Sequence, residues 1–245
     1  MVRTRFLLKE HLMRPIRPDQ GFTLVEVLVS TAVSAIALGS LLIAYDLVDK
    51  QYTKIRDTTV IGQTGRNVLK IMERDIRMAG SEWWTPLGTV EHGEITDADA
   101  ISITQGAGNG CCDEVTVIYD RQKTNISSQR LRIRYWVRDH VGTRGTRSRL
   151  FKKTDIIAPP SQVKVGAEDA MADYIEDLQL EYSGSAAHPK KLIEIYLALR
   201  TKQEFSREKS YQRGAHYPGD STLETTDRFR RREFSTSVAV RNLTL

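Results

Sequence analysis

The sequence predicts an α+β protein: one long N-terminal helix, apolar in its first half, with an antiparallel β-sheet laid against its second half. Three observations predict it. Residues 22–45 are an apolar run broken by a single charge, Glu26. Residues 46–79 lack proline and keep apolar side chains at spacings of three and four, the period of a helix with one buried face. Beyond residue 80, short alternating stretches separated by turn residues read as strands.

Ahead of the apolar run, residues 1–21 carry Arg3, Arg5, Lys9, Arg14 and Arg17 against Glu10 and Asp19, a net +3 out of the formal +5 of the whole chain. A basic flank of this kind stays on the cytoplasmic side and leaves the rest outside. The 24 residues of 22–45 make a helix of about 36 Å, enough for a hydrocarbon core of about 30 Å. Ser34, Ala35 and Ala37 offer the small residues of an ordinary secretory cleavage site. Against that reading, apolar residues continue through Leu41, Leu42 and Ile43, and Glu26 sits where a signal peptide is purely apolar.

The junction Gly21-Phe22-Thr23-Leu24-Val25-Glu26 resembles the processing site of the bacterial type IV pilin and type II secretion pseudopilin family. The resemblance implies cleavage between Gly21 and Phe22 by a prepilin peptidase, N-methylation of Phe22, and a filament-assembly role for Glu26. It divides the chain into a leader at 1–21, a transmembrane half-helix at 22–45, an outer half-helix at 46–79 and a periplasmic or extracellular head at 80–245. A carboxylate at mid-helix in a bilayer costs about 2.5–3.5 kcal/mol and less near an end, so it needs a partner or a function. Glu26 lies four residues after Phe22, on the same face and in the first turns, where the helix dipole favours an anion. The resemblance implies a second partner, the amino terminus of a neighbouring subunit.

Along the outer half-helix, Val48, Tyr52, Ile55, Leu69, Met72, Ile76 and Ala79 form the stripe, weaker near Gly62 and Gly65, where a break into two helices is the alternative. Gly80 reads as the stop, with Pro86 close behind. The ending from Met72 to Gly80 resembles that of PilW-like minor pilins, with pseudopilin J as the near relative. Physically, the charges of Arg74, Asp75 and Arg77 read as a solvated face.

In the head, residues 100–104 predict a short strand and Val115, Val117 and Tyr119 a second. Leu131, Ile133, Tyr135 and Val137 alternate with Arg130, Arg132, Arg134, Trp136 and Arg138, a strand with a basic outer face. Residues 150–153 read as a short strand, closed off by Pro159-Pro160. Residues 171–182 read as a short turn or helix entering a strand at about Asp177. Residues 192–201, apolar on both faces, read as a central strand. Residues 202–226 have no periodicity and read as a long surface loop, and a last strand follows before Asn242, in a C-terminus that again resembles the PilW and pseudopilin J group.

Chemistry is sparse. The five histidines have no ligand spacing, and Cys111 and Cys112, being adjacent, form no C-x-x-C clasp, so neither cofactor, metal nor catalysis is expected. Neighbouring cysteines do not easily bridge; a vicinal disulfide, two thiols or an intermolecular bond remain open. The glycine-rich residues 106–110 lack the Gly-Lys-Ser or Gly-Lys-Thr of a phosphate loop. Arginines 228, 230, 231 and 232, and a second group at Arg144, Arg147, Arg149, Lys152 and Lys153, suggest nucleic-acid contacts as one reading and solubility or acidic neighbours as another. The expected function is that of a structural minor pilin, inserted once in the inner membrane and then in the pilus. Its partners would be prepilin peptidase, the major pilin and other minor pilins. The alternatives are pseudopilin J of type II secretion and a DNA-binding pilus-tip subunit.

Overall fold

The computed structural model describes residues 21–106, 112–124, 127–141, 146–184, 191–212 and 224–243. The leader at 1–20, most of the glycine-rich loop, Cys111 and Arg144 lie outside them. The chain forms two compact units, Met1–Gln51 and Tyr52–Leu245, and the helix α1, Leu24–Arg77, contributes to both.

In the first unit every described residue of α1 is exposed, and the helix is long and apolar enough to cross a membrane. Three of its hydroxyls are satisfied within the helix: Ser30 Oγ donates to the Glu26 carbonyl at 2.7 Å, Thr31 Oγ1 to that of Val27 at 2.9 Å and Ser40 Oγ to that of Ala37 at 2.8 Å. The apolar run therefore presents few unsatisfied polar groups to lipid.

In the second unit α1 buries Ile61, Val68, Leu69, Met72 and Ile76; of the predicted stripe Leu69, Met72, Ile76 and Ala79 are buried, whereas Val48, Tyr52 and Ile55 are exposed because the sheets pack only on the last turns of the helix. The helix runs unbroken through Gly62 and Gly65. These glycines serve close packing instead: a methyl on Gly65 would overlap the Phe234 ring, and one on Gly62 would lie 2.6 Å from the Arg232 guanidinium. Gly80, at φ +73, ends the helix in the left-handed conformation that glycine adopts without penalty.

A short helix α2, Asp97–Ala100, capped by Thr96, leads into β1, Ile101–Thr104. The strands β2, Glu114–Thr124; β3, Ser127–Val141; β4, Thr146–Ala158; and β5, Glu168–Asp173, complete an antiparallel five-stranded sheet in sequence order. A second sheet takes the order β10-β7-β6, from β6, Ile175–Tyr182; β7, Leu192–Arg200; and β10, Arg231–Ala239. Val115, Val117, Leu131, Ile133, Tyr135, Leu150, Leu178, Ile193, Ile195 and Leu197 share one core with the α1 stripe. The α+β arrangement of a long helix and antiparallel sheets is thus as expected.

Three local expectations fail. Residues 171–176 are neither turn nor helix: Met171 to Asp173 belong to β5, and Tyr174, at φ +60, links it to β6 in the other sheet. Residues 202–226 contain two strands, β8, Lys209–Gln212, and β9, Glu224–Asp227, paired as a hairpin too short to show periodicity. β4 extends far beyond 150–153, because its polar outer residues pair across to β3 rather than following an apolar alternation.

Candidate assembly site

The start of α1 is built by Thr23 and Glu26. Glu26 N–H donates to Thr23 Oγ1 at 3.2 Å, while Glu26 Oε2 accepts from Thr23 N–H and from Thr23 Oγ1, both at 2.9 Å. This is a capping box: two helix-end donors are satisfied reciprocally by a Thr and a Glu three residues apart. The signature is local in the sequence, Thr23-x-x-Glu26, inside the apolar run. Phe22, one residue ahead of the cap, is exposed. Cleavage before Phe22 would leave the cap whole and place the new amine next to the carboxylate that closes it.

Residues 16–42 match the family described as the prokaryotic N-terminal methylation motif. A motif of this kind stands at the N-terminus of type IV pilin-like chains. Comparison with curated proteins and with solved structures gives no significant match. The motif is the target of prepilin peptidase, and the helix that follows it is long and apolar enough to cross a membrane.

A second built carboxylate stands near the other end of α1. Asp75 is fully buried and accepts from Tyr135 Oη and Lys152 Nζ, both at 2.6 Å, with Arg74 at 3.2 Å. Tyr135 and Lys152 are register partners on β3 and β4, so both point from the same face of the sheet toward α1. Burial first, then the charge of Asp75, lifts the Tyr135 phenol well above its ordinary range; the same two causes push Tyr119 up to about 12. The Arg74-Asp75-Arg77 face is therefore not simply solvated. Arg74 and Arg77 face outward, but Asp75 locks the helix to two strands.

The arginines of the C-terminal cluster do not gather on one surface. Arg231 is buried against Asp227, at 2.6 and 2.8 Å, and Glu176, at 3.5 Å. Arg232 is on the opposite face of β10, beside Gly62 and the Phe234 ring. Arg230 donates to the Arg207 carbonyl and lies over Phe205, while Arg228 pairs with Glu208 at 3.7 Å. On the outer face of β3, Arg130 pairs with Asp120, Arg132 with Asp155 and Arg134 with Glu114. Arg134 and Arg138 lie against Trp136, whose ring stacks on Phe151 at 5.8 Å.

Cys112 is disulfide-bonded, which removes the free-thiol alternative; Cys111 lies outside the described residues. Among the described residues no group of three or more His, Cys, Asp or Glu could hold a metal ion. One grouping escaped the sequence: Ser128 Oγ lies 3.0 Å from His92 Nε2 and donates to Glu91 Oε2 at 2.7 Å. Ser128 is buried, and its own N–H also donates to Glu91. The trio pins the segment after α1 to the start of β3.

Proposed function

We propose that this chain is a minor pilin: a subunit held in the bacterial inner membrane by α1, its head outside the cytoplasm, then drawn into a type IV pilus after removal of residues 1–21 and N-methylation of Phe22. The observation that carries the reading is the methylation motif at 16–42 opening a continuous helix whose apolar side chains stay exposed from Phe22 as far as Ile55. A helix with that surface needs lipid before assembly and other helices after it. Its function would be packing, with prepilin peptidase, the major pilin and other minor pilins as partners, and no catalysis of its own.

Glu26 would exchange its local cap for the amine of a neighbouring subunit, where low dielectric strengthens a charge pair and penalises a lone one. Glu26→Ala tests this: cell fractionation should find the variant in the membrane as before, and sheared filaments should lack it. Filaments containing the variant at the normal level would end the charge-pair role. A pseudopilin J of type II secretion shares the same motif; genes for a secretion complex beside this one, in place of pilus-assembly genes, would favour it.

A further inference from the structure

We propose that the outer edge of β10, which no described strand covers, is a strand-addition site for a different subunit of the same assembly, an inference that rests on the assembly role above. The geometry of the ladder defines the edge. Thr201 N–H donates to the Arg230 carbonyl and Val240 N–H to the Lys191 carbonyl, both at 2.8 Å, bracketing an unshifted register from Arg231↔Arg200 to Ala239↔Leu192. Hydrogen-bonded and non-bonded pairs alternate in an antiparallel ladder. Residues 232, 234, 236 and 238 therefore bond to β7. Arg231, Glu233, Ser235, Ser237 and Ala239 turn their N–H and C=O groups away from it, and β10 is the outer strand of its sheet.

The other edges of the two larger sheets carry protection of the kind that prevents pairing. On β6, the Leu178 carbonyl accepts from Asp113 N–H and Leu180 N–H donates to the Asp113 carboxylate, each at 2.8 Å. β5 is short and carries Glu168, Asp169 and Asp173, and β1 has four residues. β10 has nine residues, no proline, no register shift and no charge after Glu233; Glu233, Ser235, Ser237 and Ala239 are exposed. A long flat edge of this kind recruits an extended segment through main-chain bonds, with side chains on alternate faces setting the choice of partner.

A second copy is a poor occupant. Arg232 lies by Gly62, Phe234 by Gly65 and Asn242 by Gly80, so β10 and α1 run in the same direction. Antiparallel β10 pairs would turn two α1 helices head to tail, which a common membrane does not allow. A parallel in-register pair would set Arg232 against Arg232 and Glu233 against Glu233, and like charges directly opposite are unfavourable. The occupant is an antiparallel strand from another subunit, with an acidic residue opposite Arg232, apolar residues opposite Phe234 and Val238, and small or hydroxyl residues opposite Ser235 and Ser237.

Residue-resolved amide exchange tests this on the full chain in detergent and in the assembled filament. In detergent the amides of Phe234, Thr236 and Val238 should be slow and those of Ser235, Ser237 and Ala239 fast. Assembly should slow the second set by about tenfold or more. Ser235→Pro, which removes an outward donor and fixes one edge-strand φ, should lower the melting temperature of the free chain by a few degrees at most and abolish that protection at Ser237 and Ala239. A chain never found in any filament would overturn the assembly reading and this one with it. A chain present in filaments with those three amides still fast would overturn the edge site alone. A photo-cross-linker at Ser237 that joins a strand of another subunit supports the choice of partner, and one that joins a second copy overturns it.

Discussion

Two carboxylates near opposite ends of α1 solve the same problem differently. Glu26 lies in the apolar, fully exposed half and is satisfied within four residues by Thr23. Asp75 lies in the half that faces the sheets and is satisfied by Tyr135 and Lys152, sixty and seventy-seven positions away. A local cap can be opened without disturbing a fold, so it suits a group that changes partner on assembly. A buried charge with distant partners cannot be opened cheaply, because each partner left behind is desolvated and unpaired. The difference separates a half of the helix whose carboxylate is satisfied locally from a half tied to the sheets.

The largest effect should come from Asp75→Ala. It leaves the Lys152 ammonium without its counter-charge at a largely buried site, and chemical denaturation should show a loss of about 3–5 kcal/mol. A loss within the range of an exposed ion pair, below about 1 kcal/mol, would return Asp75 to the solvated face read from the sequence. The glycine pair sharpens the contrast within the same half. Gly65→Ala forces a methyl into the Phe234 ring and should destabilise the head by about 1–3 kcal/mol. At Gly62 the obstacle is the flexible end of Arg232, so Gly62→Ala should be neutral or stabilising by up to about 1 kcal/mol through helix propensity.

The head also carries a pH dependence. Burial raises Tyr119 and Tyr211 to about 12 from the ordinary 10.0, so the folded head holds those phenols neutral. Their contribution to stability is complete below pH 10 and declines as pH rises from 10 through 12. Melting temperature should fall across that window, and absorbance at alkaline pH should show these phenols ionising together with unfolding. On the Glu26 side the effect is smaller and local. Thr23→Ala should speed exchange of the Glu26 amide by about fivefold and leave the melting of the head untouched.

How much of this was legible follows the same division. The anchor, the stop at Gly80 and the alternation of β2, β3 and β7 were legible because each is written in neighbouring residues. The capping box was equally local and was passed over. The Asp75 lock was not legible, since an Asp between two arginines looks identical whether its face meets water or the register pair of Tyr135 and Lys152. The same holds for Gly62 and Gly65, weak points on a helix until β10 is known to pack against them. The β5–β6 corner depends on Tyr174 in a conformation that tyrosine rarely adopts, so no propensity would have placed it. The arginines 228–232 looked like one patch because they are close in sequence, whereas strand alternation sends Arg231 and Arg232 to opposite faces.

The claim on which all of this rests is that Gly21 and Phe22 are parted by prepilin processing. Intact mass and N-terminal fragmentation of the chain purified from membranes or filaments test it directly. The account predicts a mature chain that begins at Phe22 with a methylated α-amine. A chain that begins after Ala37, as an ordinary secretory signal would leave it, would contradict it.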